Sequence, residues 1–311
     1  MTALRENSER TSLVAVVGAT ATGKTRRAVD LAREFNGEVI SADSRQVYRR
    51  MDIGTGKDLC EYGDVPVHLV DVCEPGDKYN LHRYLRDYNA AVADVRSRGA
   101  MPVVCGGSGM YVEAALNGLK LPEVPRNDEL RRSLEGKTLD ELAVILSEMK
   151  PLHNTTDVDT VDRALRAIEI QSYYQAHPDE EYGSKSYQEK NELVIGLSID
   201  RDMRRQRIDE RLKSRFETGM TNEVESLLAE GIPAENLIYY GLEYKWLTLY
   251  VTGRISRPEM ETGLQTAIHQ FAKRQMTWFR GMERRGHVIH WLPWDMDQRD
   301  FIDAVKALAC L

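Results

Sequence analysis

No run of eighteen or more apolar residues occurs in this 311-residue chain, so no segment has the length to cross a membrane as a helix. The opening residues, MTALRENSERTS, lack the apolar stretch of a signal peptide and read as a polar leader before the first strand. Cysteine is scarce. Cys60, Cys73, Cys105 and Cys310 contain no CxxC pair and no histidine at metal-ligand spacing, which suits reduced thiols in a cytoplasmic protein. Internal repeats and low-complexity tracts are missing as well, which excludes a solenoid or a disordered spacer. Positive charge is not in excess: the formal net charge of −7 excludes a protein that coats nucleic acid indiscriminately. It leaves room for a local basic groove, because the field at a site depends on arrangement rather than on the sum.

What is present is the material for a large core. Apolar residues make up 42% of the chain, an ordinary globular share. Leu13 to Val17 is a short apolar run stopped by Gly18, the pattern of a strand buried on both faces of a parallel sheet. Ala28, Leu31, Ala32 and Phe35 then recur at helical spacing, and Gly37 is expected to close that helix. Further strands are expected at Glu38–Ala42, Val65–Val70, Met101–Val104, Leu193–Ile199 and His287–Leu292, with long helices at Leu81–Val95 and Pro258–Arg284. Strands alternating with helices give an α/β fold, a P-loop NTPase-like, mostly parallel sheet with helices on both faces. Residues 128–175 carry helical patterning alone, and 176–190 reads as an exposed connection. The predicted organisation is therefore a core in two parts, residues 12–118 and 193–311, interrupted by a helical insertion at 119–192.

Gly18-Ala19-Thr20-Ala21-Thr22-Gly23-Lys24-Thr25 fits GxxxxGK[ST], with the strand before it and the amphipathic helix after it that the motif requires. The glycines let consecutive N–H groups turn into one anion-sized hollow. The helix N-terminus adds partial positive charge and Lys24 a full one. The Thr25 hydroxyl is placed to ligate Mg²⁺ together with phosphate oxygens. The loop binds a phosphate chain without saying whose, and nucleotide binding with γ-phosphate chemistry is the default for such loops. Asp43 and Asp71 both end strands, where ligands of open α/β sheets bind, and spacing does not choose between them as metal partners. Asp43 has the richer setting, Asp43-Ser44-Arg45-Gln46-Val47-Tyr48.

Taken together, GATATGKT, ISADSRQVYRRMDIGTGK, CGGSGMYVEAAL and AIHQFAKRQMTWFR resemble the tRNA dimethylallyltransferase family in order and spacing. DTVDRALRAIEI (159–170) and QRIDER (206–211) extend the resemblance across residues 13 to 292. It implies that the loop holds the diphosphate of dimethylallyl diphosphate and that the prenyl group passes to N6 of an adenine beside the tRNA anticodon (position 37). Asp43 then corresponds to the base that takes the N6 proton, Arg211 to an arginine gripping the diphosphate, and Ser108 to a hydroxyl beside the reaction channel. Ser44, Arg45 and Gln46 fall where the family reads the flipped adenine or its neighbours. Arg163, Arg166, Tyr244, Lys245, Lys273, Arg274 and Gln275 correspond to positions that contact tRNA. Lys57 and His68 also match family residues; Lys57 has no task legible from sequence, and His68 is either a core histidine or a neighbour of the diphosphate.

Two basic segments are candidates for phosphate contact. Residues 201–215 hold seven Lys or Arg against three acids, and residues 271–290 hold five against one. Glu243 departs from the family pattern by standing where glycine is usual, so it either repels RNA phosphate or pairs with a nearby arginine. The expected protein is a monomeric, Mg²⁺-dependent tRNA prenyltransferase. The alternatives are a prenyltransferase acting on free adenine nucleotides, as in cytokinin synthesis, and a small-molecule P-loop kinase.

Overall fold

The computed structural model describes residues 11–152, 156–179 and 191–309. The leader up to residue 10, the stretch 180–190 of the expected exposed connection, and Cys310 lie outside the described residues. In chain order the elements are β1 (Leu13–Val17), α1 (Lys24–Glu34), β2 (Gly37–Ser41), β3 (Val67–His68), α2 (Leu81–Ser97), β4 (Met101–Gly106) and α3 (Gly109–Leu116). Then come α4 (Asp128–Ser133), α5 (Leu139–Met149), α6 (Val161–Ala176), β5 (Glu192–Ser198), α7 (Arg201–Glu217), α8 (Met220–Ala229) and α9 (Ala234–Tyr239). The chain finishes with α10 (Leu242–Val251), α11 (Arg257–Arg284), β6 (Ile289–Pro293) and α12 (Gln298–Ala309).

The strands form one parallel sheet in the order β3-β2-β4-β1-β5-β6. Alternate side chains along each strand leave by opposite faces. Val14, Val16, Val39, Val103, Ile195 and Leu197 share one buried cluster with α1 and α12, including Leu31, Phe301 and Val305. The other face takes Ala15, Val17, Ile40 and Val104, all fully buried, with α2 packed along β2 and β4 and α3 against β4. Residues buried on both faces explain why the strands read as unbroken apolar runs.

The order of the strands positions the chemistry. β2, β4 and β1 are neighbours, so their C-terminal ends carry Asp43, Gly106-Gly107 and the glycine-rich loop 18–23 to one edge of the sheet. The third strand is shorter than the apolar run predicts. It stops at His68 because Leu69 and Asp71 adopt left-handed φ of 62° and 56°. Lys57 accounts for that bend. Its ammonium is fully buried and donates to the Tyr48 carbonyl and Asp52 at 2.6 Å and to Asp71, pinning the 48–71 segment from inside.

Gly37 also differs from expectation. The left-handed residue that ends α1 is Asn36, at φ 49°, and Gly37 is the first residue of β2. A Cβ at Gly37 would stand 2.5 Å from the Met101 carbonyl oxygen, so glycine is there for the close approach of β4.

By contact grouping the chain divides into two compact units, residues 1–117 with 187–311, and residues 118–186. The smaller unit has its own core of Leu142, Leu146, Ala164 and Ile168. Glu169 is buried there. Desolvation works against its charge, but hydrogen bonds from Arg131, the Asn127 N–H and Arg166 prevail and bring its pKa down to about 2.

Gly37→Ala is expected to cost about 1–3 kcal/mol, the usual penalty for overpacking against a fixed backbone. Chemical denaturation reads it; unchanged stability would show that β4 can retreat without opening the ladder.

Candidate active site

A cavity of about 380 Å³ opens at the C-terminal edge of the sheet. Its floor is the loop that joins β1 to α1, shaped by Gly18 (φ 153°) and Gly23 (φ 79°). Thr22 closes the loop by donating to the Ala19 carbonyl at 2.8 Å, and Lys24 reaches back to the same oxygen at 2.7 Å. Thr20, Ala21, Gly23, Lys24 and Thr25 line the cavity, with Asp43, Arg45 and Gln46 across from them on the β2 side. The loop is braced from outside by Gln275 of α11. Its amide oxygen accepts from the Thr20 N–H at 2.8 Å, and its nitrogen donates to the Gly107 carbonyl at 2.9 Å. A side chain on Gly107 would run into that amide at 2.3 Å, which explains the second glycine of Gly106-Gly107.

Cations crowd this space. Arg207, Arg211 and Arg215 stand at i, i+4 and i+8 on α7 and all line the cavity. Arg207 donates to the Ala21 carbonyl at 2.8 Å and lies 4.1 Å over the Trp294 ring. Arg211 pairs with Asp58 at 2.6 Å. Arg215 has a buried Nη2 without a hydrogen-bond partner among the described residues. Its pKa falls to about 10, through burial first and the neighbouring Arg211 second. Lys24 falls to about 8, chiefly because burial strips water from its ammonium, with Arg211 pushing the same way against Cys105 and Asp43. A hollow with depressed basic groups and an orphaned guanidinium N–H is built for an anion.

Glu243 is what makes the crowding tolerable. It lies 4% exposed on α10, 2.8 Å from Arg45 and 3.5 Å from Arg215. Its carboxylate therefore faces the cavity, and the pairing alternative holds over repulsion of RNA. Arg45 is additionally stacked 5.0 Å over Phe271. Burial alone would lower its pKa, but Glu243 and Asp43 more than offset that and raise it. The loop 51–57 completes the wall. Glu223 accepts the N–H groups of Asp52, Ile53 and Gly54 at 2.7–3.0 Å and the Tyr244 hydroxyl at 2.5 Å. Gly56 (φ 63°) leaves room for Arg211 and Arg215, whose guanidinium nitrogens a Cβ would meet at 2.4 and 1.6 Å.

The remaining sequence-predicted residues divide sharply. Asp43 caps its own turn, accepting the Arg45 N–H at 2.9 Å. Gln46 is held by Ser41 at 3.2 Å and by the Gly56 carbonyl at 3.0 Å. Ser108 stands just beyond β4, its hydroxyl accepting the Ser44 N–H at 3.1 Å and meeting the Ser44 hydroxyl at 3.3 Å. Thr25 hydrogen-bonds Tyr62 and Cys105, and burial pushes the Cys105 thiol up to about 12.

Other residues lie elsewhere. Tyr244 is fully buried with its hydroxyl on Glu223, so Lys245, exposed beside Trp246, is the one of that pair that meets solvent. Gln275 is buried in the loop clamp, whereas Lys273 and Arg274 are exposed. In the smaller unit Arg163 pairs with Asp159 at 2.6 Å, and Arg166 holds the Val124 carbonyl at 2.8 Å and Glu169 at 3.2 Å. His68 sits outside the cavity lining and pairs with Glu38 at 2.6 Å, joined there by Arg98. Asp71 is likewise outside the lining, bound to Lys57.

The phosphate-type loop on a central strand of an all-parallel sheet places the protein among the P-loop α/β proteins. The IPP transferase family profile matches residues 46–282, and the isopentenyl transferase profile matches residues 11–62. A tRNA dimethylallyltransferase 2 of Bacteroides fragilis is 55% identical over 298 residues, covering 94% of this chain and 96% of that one. A tRNA dimethylallyltransferase 2 of Porphyromonas gingivalis is 56% identical over 284 residues, covering 90% and 93%. The crystal structure of a full-length tRNA isopentenylpyrophosphate transferase from Bacillus halodurans superposes with a TM-score of 0.70 at 30% identity, covering 97% of this chain and 96% of that one. The chain belongs to the IPP transferase family and is a transferase of the tRNA dimethylallyltransferase kind.

Two outcomes are expected at this site. Because Lys24 titrates near pH 8, binding of an inorganic diphosphate probe takes up a proton above that pH. The Lys24 contribution to affinity should then fall by up to about tenfold per pH unit between pH 8 and 10, read by titration calorimetry as the difference from Lys24→Met, which cancels the ionisations of the diphosphate itself. Glu243→Gln removes the carboxylate between Arg45 and Arg215, and is expected to lower stability by about 1–3 kcal/mol while tightening diphosphate binding. Weaker binding in that variant would show that Glu243 positions the arginines rather than balancing them.

Proposed function

We infer that the protein transfers a dimethylallyl group from dimethylallyl diphosphate to the N6 amine of an adenine beside the anticodon, position 37, of tRNA. One observation carries the reading: Asp43 lines the same cavity as Lys24, Thr25 and Arg211, so a carboxylate shares one hollow with the groups suited to an anion. The names of the relatives at 55% and 56% identity point to the same reaction.

The chemistry follows from what each group does to charge. As the allylic C–O bond breaks, negative charge grows on the leaving diphosphate. The N–H groups of residues 21–25, Lys24, Arg207, Arg211 and the unpartnered Nη2 of Arg215 border the cavity and would stabilise that charge. Such preorganised stabilisation is usually the largest catalytic term. The adenine amine is a weak nucleophile because its lone pair is delocalised into the ring. Asp43 accepts the N6 proton as the new C–N bond forms, a gain of about 10²–10⁴-fold for general bases. Ser108 acts on Asp43 indirectly, holding Ser44 and thus the turn in which the carboxylate lies.

The oxygen donors at the loop fit a hard divalent cation: the Thr25 hydroxyl, with Asp43 and Glu61 lining the same cavity. Mg²⁺ prefers one or two protein oxygens plus phosphates and water, and Thr25 with one of these acids would hold it. When bound it supplies further charge neutralisation at the diphosphate. The adenine must leave its stack to reach Asp43, which single-stranded loops permit at low cost. Lys245, Lys273 and Arg274 are the exposed cations among the predicted tRNA contacts of the larger unit.

Purified protein with Mg²⁺ and labelled dimethylallyl diphosphate should label unmodified tRNA at an anticodon-loop adenine and leave AMP, ADP and ATP unlabelled. Label on free nucleotides would replace this reading with the cytokinin-type one. Asp43→Asn should keep donor affinity and lose about 10²–10⁴-fold in single-turnover transfer; wild-type turnover in that variant would remove Asp43 from the role of base.

A further inference from the structure

β6 lies beside β5, and α7 starts just after β5 ends. Trp294, the residue that follows β6, is thereby brought against the second turn of α7. Its backbone is fixed on two sides: the N–H donates to the Ser198 carbonyl at 3.0 Å, and the carbonyl accepts from Arg27 of α1 at 3.3 Å. Arg27 is itself buried, donates also to the Met296 carbonyl and lies 4.7 Å over the Phe301 ring. The indole is half-buried against the main core. A ring anchored in this way is a rigid platform, and the guanidinium of Arg207 lies 4.1 Å from its centroid. Arg207 Nε donates to the Ala21 carbonyl at 2.8 Å. Ala21 has φ 64°, a left-handed conformation that costs an alanine energy, so this bond holds a strained residue of the phosphate loop. The Nη pair makes no hydrogen bond or ion pair among the described residues, on a side chain that lines the cavity.

We propose that Trp294 is a positioning residue for the phosphate site: its ring sets the plane of the Arg207 guanidinium, so that Nε keeps the Ala21 carbonyl and the Nη pair is offered to the diphosphate. The assignment rests on the diphosphate reading of the preceding section and names what orients one of its cations. A guanidinium on a long flexible stem spreads over many rotamers in water, and a cation that must be ordered on binding gives back part of its attraction. The stack orders it in advance. It also does so without a carboxylate, which would hold the guanidinium as firmly but compete with the diphosphate for its N–H groups. Of the three α7 arginines that line the cavity, Arg211 is held by Asp58 and Arg215 by Glu243. Arg207 is held by an aromatic face, which restrains its plane and leaves its charge uncompensated. The path closes on itself: Arg27, on the helix that begins with Lys24 and Thr25, anchors Trp294, and Trp294 orients the arginine that holds Ala21. One turn beyond β6 therefore braces the phosphate loop from two helices.

The test measures binding of inorganic diphosphate with Mg²⁺ by titration calorimetry on the full chain. It compares wild type, Trp294→Leu, Trp294→Phe, Arg207→Gln and the double variant of Trp294→Leu with Arg207→Gln. Leucine keeps apolar bulk and loses the π face, whereas phenylalanine keeps the face. Trp294→Leu should weaken binding about 5–30-fold, the span of a cation–π contact from exposed to desolvated settings, and Trp294→Phe should recover most of that loss. In the Arg207→Gln background, Trp294→Leu should change affinity by less than about twofold, because the ring then has no cation to orient. A ring that merely packs the core would act alike in both backgrounds, so an additive cycle overturns the proposal. Wild-type affinity in Trp294→Leu overturns it too, as does a phenylalanine variant as weak as the leucine one. A parallel cycle with Trp294→Met guards against a leucine variant that fails to fold. Wild type that binds no diphosphate would remove the donor reading and this assignment together. Wild-type binding with an additive cycle removes this assignment alone.

Discussion

Like charges held together without their counterion set the terms for this molecule. Lys24, Arg45, Arg207, Arg211 and Arg215 all border one cavity; Arg211 pushes on Lys24, and Arg211 and Arg45 push on Arg215. Buried repulsion of this kind would unfold the edge of the sheet if nothing answered it. Glu243 answers for Arg45 and Arg215, Asp58 for Arg211, and the Ala21 carbonyl with the Trp294 ring for Arg207. The answer is partial, since one Arg215 nitrogen stays without a partner among the described residues and Lys24 keeps a depressed pKa. Under the proposed function, a bound diphosphate would relieve what remains.

Much of the surrounding architecture serves to hold that arrangement. Gly54 and Gly56 let Tyr244, Arg211 and Arg215 approach a backbone that any side chain would block. Glu223 gathers three N–H groups of the same loop from outside, and Lys57 ties it from inside. Gln275 fixes the phosphate loop to Gly107 from a helix 255 residues away in sequence from Thr20. α7 carries the charge in two directions, with one arginine face toward the cavity and another toward a groove against α11.

The sheet was legible because strands buried on both faces leave unbroken apolar runs, and five of the six lie within two or three residues of where those runs place them. The third shrinks to Val67–His68 since Lys57, far from it in the pattern, bends the chain at Asp71. The phosphate loop and Asp43 were legible because short motifs encode local geometry. That Glu243 pairs with an arginine was one of two readings, but which arginine it takes was not legible, nor were the partners of Glu223 and Gln275, because each joins segments distant in sequence and passes for a surface polar residue. Gln275 and Tyr244 show the cost: both match positions associated with RNA, and both are buried supports of the cavity wall. A signal for the cavity wall does lie in the sequence. Arginines at 207, 211 and 215 repeat at a four-residue interval, a helical spacing that by itself puts them on a single face.

The central claim is that the cavity holds a prenyl diphosphate with its reactive carbon turned toward Asp43. A crystal structure with a slowly reacting thiolodiphosphate analogue of the donor tests it most directly. The account predicts the diphosphate on the amides of residues 21–25 between Lys24 and Arg211, with the allylic carbon on the Asp43 side. A diphosphate seated in the groove between α7 and α11, or an allylic carbon turned away from Asp43, would contradict it.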